Sequence, residues 1–198
     1  PVTHRREITE FFIDNYLLDV SSYSYNDKDY SIVYDEKFKN MYYDDNNNPL
    51  NMKETFKKKN QNVNLIFDEE FSYQNSIYII TECLFERETD RYHLSEKTYK
   101  AMLLKMPFIM IGPPYSLRHL RSLGYKTFNH MWNEEYDTII EPSERLNNIK
   151  ELILNLAKRD LKKLVVDNYD ILEYNYNNLK TRQPEKELFD TIRSLKWK

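Results

Sequence analysis

The sequence predicts an α/β fold, half of a doubly wound sheet in which strands and helices alternate as βαβαβ. Residues 76–81 are rich in isoleucine, and β-branched residues favour a strand. Residues 95–111 combine a capped helix with an apolar strand, and residues 116–128 repeat that order on a smaller scale. Because helices alternate with short apolar strands, we expect a parallel sheet flanked by helices.

The helix and strand over residues 95–111 give the clearest local pattern. Ser95 is a good N-cap, since its hydroxyl can accept from amides of the first turn. Pro107 is expected to end the helix because it lacks an amide hydrogen. The run Phe108–Ile111, closed by Gly112, suits a parallel strand covered on both faces. One apolar helix face follows the spacing i, i+3, i+4 and i+7, and is formed by Tyr99, Met102, Leu103 and Met106.

The next helix and strand are shorter. Ser116 is expected to cap a helix over residues 117–123, with Gly124 as the left-handed residue that closes it. Residues 125–128 are then predicted to form the third strand.

The first third of the chain is less regular. Residues 5–19 are expected to form a helix, and residues 20–25 and 30–34 two short strands. Residues 35–61 are polar, which favours a loop. Beyond residue 140 the chain is predicted to be helical, with the apolar residues Leu146, Ile149, Ile153 and Leu156 on one face of a helix over 143–158.

We therefore expect one α/β domain in three parts. These are a less regular N-terminal part (1–75), a ligand-binding core (76–140) and C-terminal helices (141–198).

Composition excludes several classes of protein. The 198 residues carry a net charge of −3, which gives no general attraction to nucleic acid or anionic membranes. The sequence lacks an apolar run near the roughly 18 residues of a membrane helix. The one cysteine, Cys83, fits a reducing compartment, so we expect a cytoplasmic protein. A start at Pro1 suggests processing or a segment of something longer.

Three acidic or basic residues stand where α/β proteins hold nucleotides. Glu82 ends a predicted buried strand, and Glu96 and Lys97 begin the following helix. A carboxylate can accept two hydrogen bonds from a ribose diol, and a lysine with first-turn amides can compensate a diphosphate. The alternatives are that Glu82 only caps a neighbouring helix and that Glu96 and Lys97 form an ordinary surface helix start.

Other basic residues could assist. Arg91 and His93 lie in the loop between Glu82 and the helix, where they either reach phosphate or are solvated. Three basic residues, His4, Arg5 and Arg6, stand at the start of the first helix, where the helix dipole disfavours positive charge. They form either a solvated surface or one side of an anion site.

Metal and cofactor motifs are missing from the sequence. It contains neither a glycine-rich phosphate loop nor Cys/His spacing typical of zinc. The acidic groups in polar turns are Asp27 with Asp29, and Asp44 with Asp45, and we interpret them as solvated carboxylates. We expect neither a metal nor a cofactor.

These motifs resemble the donor-binding region of fucosyltransferase-like GT-B glycosyltransferases. In that family a strand ending in Glu is followed by a Thr-Glu-Lys helix start, an alanine, and a Pro-leading strand closed by Gly. This chain has Ile79-Ile80-Thr81-Glu82, Ser95-Glu96-Lys97-Thr98, Ala101 and Pro107-Phe108-Ile109. Residues 116–137 are similar to uncharacterised phage and bacterial relatives of the group.

The resemblance implies a Rossmann-like GT-B half that transfers a hexosyl or fucosyl group from a nucleotide diphosphosugar without a metal. It implies that Glu96 contacts the ribose, Lys97 the diphosphate and Glu82 the sugar or its neighbourhood. We take Glu82 as the candidate catalytic residue. The wider set of donor-binding residues comprises Ser95, Glu96, Lys97, Thr98, Arg91, His93 and Arg5. Cys83 replaces the asparagine common in the family, so the donor sugar stays open, as does the acceptor, whether glycan, protein or modified nucleobase.

Two alternatives remain at this point. The chain is a nucleotide-sugar-binding or structural domain of a larger viral or bacterial protein, without turnover, or it is a compact enzyme whose base is Glu82 or Glu134. Two domains of a complete GT-B enzyme would need about 300 residues. We therefore expect the donor half, served by a separate N-terminal acceptor domain.

Overall fold

The computed structural model describes residues 3–21, 24–26, 31–33, 75–86 and 94–182. In these residues the protein is mixed α/β, with six α-helices, a parallel pair of strands and an antiparallel pair. The helices are α1 (Thr3–Asp14), α2 (Glu96–Leu103), α3 (Ser116–Ser122), α4 (Pro142–Leu156), α5 (Leu161–Val166) and α6 (Tyr169–Thr181). The strands are β1 (Ser24–Asn26), β2 (Ser31–Val33), β3 (Tyr78–Thr81) and β4 (Phe108–Ile111), and 3₁₀ turns occur at Leu17–Val20 and Glu135–Thr138.

The predicted strand–helix–strand unit is present. Strands β3 and β4 pair in parallel, from Tyr78 opposite Phe108 to Thr81 opposite Ile111, and α2 connects and packs on both. All four residues of β4 are buried, as expected for a strand covered on both faces. Helix α6 packs on α2, and α4 contacts β4. The unit therefore brings the carboxyl ends of two strands to one edge of the sheet.

Helix α2 ends earlier than predicted. It stops at Leu103, before Pro107, because Lys105 takes the left-handed conformation (φ 49°) that usually requires glycine. Two backbone hydrogen bonds of a Schellman motif close the helix, Lys105 N to Met102 O at 3.1 Å and Met106 N to Ala101 O at 2.9 Å. Pro107 then begins the strand pairing instead, since its carbonyl accepts from Tyr78 N at 2.9 Å.

The predicted third strand at residues 125–128 is wrong. The backbone of Lys126 is paired by a side chain, because the Asn175 amide accepts from Lys126 N and donates to Lys126 O, both at 2.8 Å. The Glu134 carboxylate accepts from Phe128 N at 2.7 Å. These side chains satisfy the backbone of this segment in place of a neighbouring strand, so the βαβαβ unit is reduced to βαβ in the described residues.

Replacing Asn175 by alanine should lower the free energy of unfolding by about 2 kcal/mol. Asn175 is 1% exposed, and both of its bonds to Lys126 would be lost at about 1 kcal/mol each. Urea denaturation checks this, with Asn177→Ala on the exposed side of the same helix as the control. Equal effects of the two substitutions would contradict the role of Asn175.

The predicted cap of α3 is also different. Ser116 lies inside the helix, and its hydroxyl donates to Pro113 O at 2.7 Å. The helix start is capped by the Asp137 carboxylate, which accepts from Leu117 N at 2.8 Å and Arg118 N at 2.9 Å. Gly124 has the predicted left-handed conformation (φ 84°).

The flanking elements largely agree with the sequence. Helix α1 ends at Asp14 and a 3₁₀ turn follows it, whereas one helix over 5–19 is predicted. Strand β2 lies within its predicted segment, whereas β1 extends one residue beyond its own segment, to Asn26, and the two strands pair antiparallel. The four apolar residues predicted for α4, Leu146, Ile149, Ile153 and Leu156, are all buried. Within the described part of the chain, a helix long and apolar enough to cross a membrane is not found.

Candidate functional site

Glu82 and Gly112 lie together where β3 and β4 end. Glu82 N donates to Ile111 O at 2.9 Å, which extends the parallel ladder by one residue. A Cβ atom at Gly112 would lie 3.5 Å from Glu82 Cγ and 3.3 Å from Ser116 Oγ. A side chain at residue 112 would therefore crowd this edge of the sheet.

The Glu82 side chain is fully buried and anchors α2. Its Oε1 atom accepts from Ser95 N and from the Thr98 hydroxyl, both at 3.1 Å. Its Oε2 atom is buried and has no hydrogen-bond partner. The alternative that Glu82 only caps a helix therefore accounts for its Oε1 atom. The Oε2 atom is an unused acceptor at the carboxyl edge of the sheet.

Ser95 is the N-cap of α2, as predicted. Its Oγ atom accepts from Lys97 N at 3.3 Å, and its carbonyl accepts from Thr98 N at 3.2 Å. Both Ser95 and Thr98 are buried against Glu82. Because these two amides of the first turn have internal acceptors, a ligand at this helix end would meet side chains more than amides.

Glu96 and Lys97 point outward at the start of α2. Lys97 Nζ lies 3.2 Å from Glu96 Oε1, and the two side chains are 30% and 42% exposed respectively. Solvent surrounds this ion pair, so it contributes little to stability and either member can exchange its partner for a ligand.

The first turn of α1 reaches the same edge. Arg5 Nη2 donates to Thr81 O at 3.3 Å and to Cys83 Sγ at 3.4 Å, across 76 and 78 residues of sequence. His4 Nε2 lies 3.0 Å from Glu82 O, and because a carbonyl only accepts, this nitrogen carries the proton. The solvated-surface interpretation is therefore wrong for His4 and Arg5, and it holds for Arg6, which is paired with Glu10 at 3.2 Å.

Burial dominates the electrostatics of His4 and leaves Arg5 as a cation at the edge. Burial lowers the pKa of His4 from 6.5 to about 4, so the ring is neutral at pH 7. Arg5 forms no ion pair with a carboxylate of the described residues, and its Nε atom is buried without a partner. Arg5 and Lys97 thus place two positive side chains at one end of the sheet.

A second polar cluster, missed at the sequence level, fixes the region after α3. The Glu134 carboxylate accepts from the Thr127 hydroxyl and from Phe128 N, both at 2.7 Å, and from Arg121 Nη1 at 3.1 Å. Burial raises the pKa of Glu134. Its oxygens are occupied by internal donors, which favours Glu82 over Glu134 as a candidate base.

Arg145 is a further residue that the sequence did not reveal. It is 1% exposed, and its guanidinium donates to Ile139 O at 2.7 Å, to Ile140 O at 3.0 Å and to Phe85 O. All three acceptors are main-chain carbonyls. Because every residue has a carbonyl, no acidic partner in the sequence marks Arg145 as buried. From the sequence alone it looks like an ordinary exposed charge in the first turn of a helix.

Several predicted residues lie outside the described part of the chain. They are the donor-site candidates Arg91 and His93 and the acidic residues Asp27, Asp29, Asp44 and Asp45. In the described ranges, the structure has no group of three or more His, Cys, Asp or Glu side chains that could hold a metal.

A scan against protein-family models, a search of curated proteins and a search of solved structures each found no match to this chain. The functional interpretation therefore depends on the residues and the geometry described above.

Proposed function

We propose that this chain is the donor-binding domain of a metal-independent, GT-B-type glycosyltransferase. In this proposal it binds a nucleotide diphosphosugar at the carboxyl edge of β3 and β4 and takes part in sugar transfer to an acceptor. The fold would be a reduced Rossmann-like half. A cytoplasmic location, host cytoplasm if the protein is viral, belongs to the same proposal.

One observation carries the proposal. Arg5 donates to Thr81 O from α1 and so lies at the edge where Glu82 follows β3 and where Glu96 and Lys97 begin α2. Ligands of open α/β sheets bind at this edge, and these side chains match the parts of a nucleotide sugar. They come from three separate segments of the chain, α1, the end of β3 and the start of α2.

Each side chain has a distinct role in this proposal. Lys97 and Arg5 bind the diphosphate and stabilise the charge that develops on it as it leaves. Glu96 accepts from the ribose hydroxyls. Glu82 uses its unpartnered Oε2 atom as the acceptor for a sugar hydroxyl or as the general base for the acceptor hydroxyl. Arg91 and His93, which the sequence places in the loop between Glu82 and α2, would add to the phosphate contacts.

The acceptor is proposed to come from elsewhere. A glycan, a protein or a modified nucleobase would be presented by a separate acceptor domain, N-terminal in the family the motifs resemble. No cofactor is required, because the nucleotide diphosphosugar is itself the activated substrate.

A second candidate is a nucleotide-sugar-binding domain without turnover. The anchoring of α2 by Glu82 Oε1 favours it, since a carboxylate that holds a helix is needed for binding whether or not chemistry follows. Release of free nucleoside diphosphate in the presence of acceptors separates the two, because a binding domain would leave the donor intact.

Lys97→Ala should weaken binding of a nucleoside diphosphate about 10- to 150-fold. This range corresponds to the loss of a charge-assisted hydrogen bond worth about 1.5–3 kcal/mol. Glu96→Ala should reduce affinity mainly for ligands that carry both ribose hydroxyls, so a 2′-deoxy analogue would lose less. Titration calorimetry measures both effects.

Lys158→Ala, at an exposed lysine just beyond α4, is the matched control and should leave the affinity unchanged. Wild-type affinity in both the Lys97 and the Glu96 variants would place the ligand elsewhere.

A further inference from the structure

The segment from Glu82 to Phe85 is fixed at both of its ends by buried groups. At the first end, Ser95 and Thr98 hold the Glu82 carboxylate, and His4 holds its carbonyl. At the second end, the Arg145 guanidinium binds the carbonyl of Phe85. Cys83, between the two ends, is exposed beside Arg5. The chain that follows β3 therefore has a defined path across the carboxyl edge.

Arg145 ties this segment to the chain that precedes α4. The same guanidinium that binds Phe85 O also binds Ile139 O and Ile140 O. Its Cζ atom lies 4.3 Å from the centre of the Phe85 ring. The His4 ring stacks on Phe85 with 4.7 Å between ring centres. Phe85 therefore contacts two residues. One is His4, which also binds Glu82 O, and the other is Arg145, which also binds the segment before α4.

The burial of Arg145 is costly and needs a reason. In the described residues no carboxylate lies within ion-pair distance of its guanidinium, and burial lowers its pKa. A hydrophobic residue would fill the same space at lower cost. Only a planar fork with several donors can bind three carbonyls of two segments at once. The arginine therefore stabilises a particular backbone path more than it stabilises packing.

We propose that Arg145 is a positioning residue for the sugar side of the donor site. It sets the course of residues 82–85, and with it the position of the Glu82 Oε2 atom. The nucleotide side, at Glu96 and Lys97, begins a different element, which has its own cap at Ser95 and is anchored by Glu82 Oε1, so we expect it to depend less on Arg145. This inference rests on the proposed function, because it assigns Glu82 to the sugar and Lys97 to the diphosphate.

The test compares two ligands on each variant by titration calorimetry. One ligand is the nucleotide diphosphosugar that binds the wild type best, and the other is the matching nucleoside diphosphate. We expect Arg145→Lys to keep its dissociation constant for the nucleoside diphosphate within about twofold. The dissociation constant of the nucleoside diphosphate divided by that of the nucleotide diphosphosugar reports the contribution of the sugar. This ratio should fall at least fivefold towards one in Arg145→Lys.

This ratio separates positioning from stability. Unfolded protein binds neither ligand, so a loss of folded protein changes both measurements together. His4→Gln provides a second variant, since it removes the ring that stacks on Phe85 and should lower the same ratio if Arg145→Lys fails to fold. Arg159→Lys is the control, because Arg159 also binds a carbonyl, Met131 O at 3.0 Å, and lies beyond the opposite end of α4.

Three results would overturn the inference. The first is an unchanged ratio in Arg145→Lys and His4→Gln, and the second is a parallel loss of affinity for both ligands. The third is a wild type that binds the two ligands equally well, since no sugar contact would then need positioning. Failure of the proposed function is distinct, because the wild type would then bind neither ligand.

Discussion

Glu134→Ala should lower the free energy of unfolding by about 3 kcal/mol. The carboxylate accepts three hydrogen bonds, from Thr127, Phe128 and Arg121, and two of the donors would lose their internal acceptor in a buried place. An unsatisfied buried donor costs about 1–3 kcal/mol, whereas the ion pair with Arg121, whose side chain is 40% exposed, contributes little. Burial raises the pKa of Glu134, which means that desolvation of the carboxylate offsets part of the stability that its hydrogen bonds contribute.

Urea denaturation at pH 7 measures this effect. Glu135→Ala is the matched control, since this neighbour is exposed and, within the described residues, its carboxylate accepts only from the Asn133 side chain, at 3.0 Å. We expect the control to change stability by less than about 0.5 kcal/mol. A fully stable Glu134→Ala protein that cannot transfer sugar would instead identify Glu134 as the base of a compact enzyme.

Acid should destabilise the protein through His4. Its pKa is about 4 in the folded chain and 6.5 ordinarily, so between these values the unfolded chain binds a proton that the folded chain rejects. The contribution of His4 is complete above pH 6.5 and is lost as the pH falls to 4, by about 3 kcal/mol at 1.36 kcal/mol per pH unit. The immediate cause is desolvation, with the positive charges of Arg5 and Arg145 as smaller causes.

The stability of the wild type and of His4→Gln, measured from pH 7 to pH 4, isolates this contribution. Other groups with shifted pKa values also contribute to the pH dependence. The pKa values of Glu134 and Asp137 are raised by burial and act in the opposite direction, and the pKa of His119 is lowered. They are present in both proteins and cancel in the difference. His130→Gln, at an exposed histidine, should follow the wild type, and parallel curves for His4→Gln would contradict the assignment.

The sequence predicts those parts of the fold that depend on neighbours along the chain. The cap at Ser95, the helical spacing that follows it and the apolar run Phe108–Ile111 are local patterns, and they give α2 and β4. The parallel pairing follows from the short helical crossover between β3 and β4. Glu82 directly follows β3, and Glu96 and Lys97 begin α2, as the predicted strand and helix require.

The failed predictions share a physical cause, which is a partner far away in sequence. Residues 125–128 have the composition of a strand, but Asn175, some fifty residues later, satisfies the backbone of Lys126. The cap of α3 comes from Asp137 rather than from the adjacent Ser116. Lys105 replaces the glycine that would have marked the end of α2.

The candidate site shows the same division. Glu82, Glu96 and Lys97 are identified by their place in a predicted element. His4 and Arg145 bind main-chain carbonyls of distant segments, and a carbonyl has no residue type that could be read from the sequence. Their contribution therefore became visible only once the chain was folded.

Donor binding tests the central claim most directly. A panel of nucleotide diphosphosugars is added to the purified chain with excess EDTA, and both the melting temperature and the labelling rate of Cys83, the single and exposed cysteine, are followed. We predict that one nucleotide diphosphosugar stabilises the protein by about 2.7 kcal/mol at 100 times its dissociation constant and slows labelling beside Arg5. A panel in which no nucleotide sugar changes either quantity, with or without added Mn²⁺ or Mg²⁺, would contradict the proposed function.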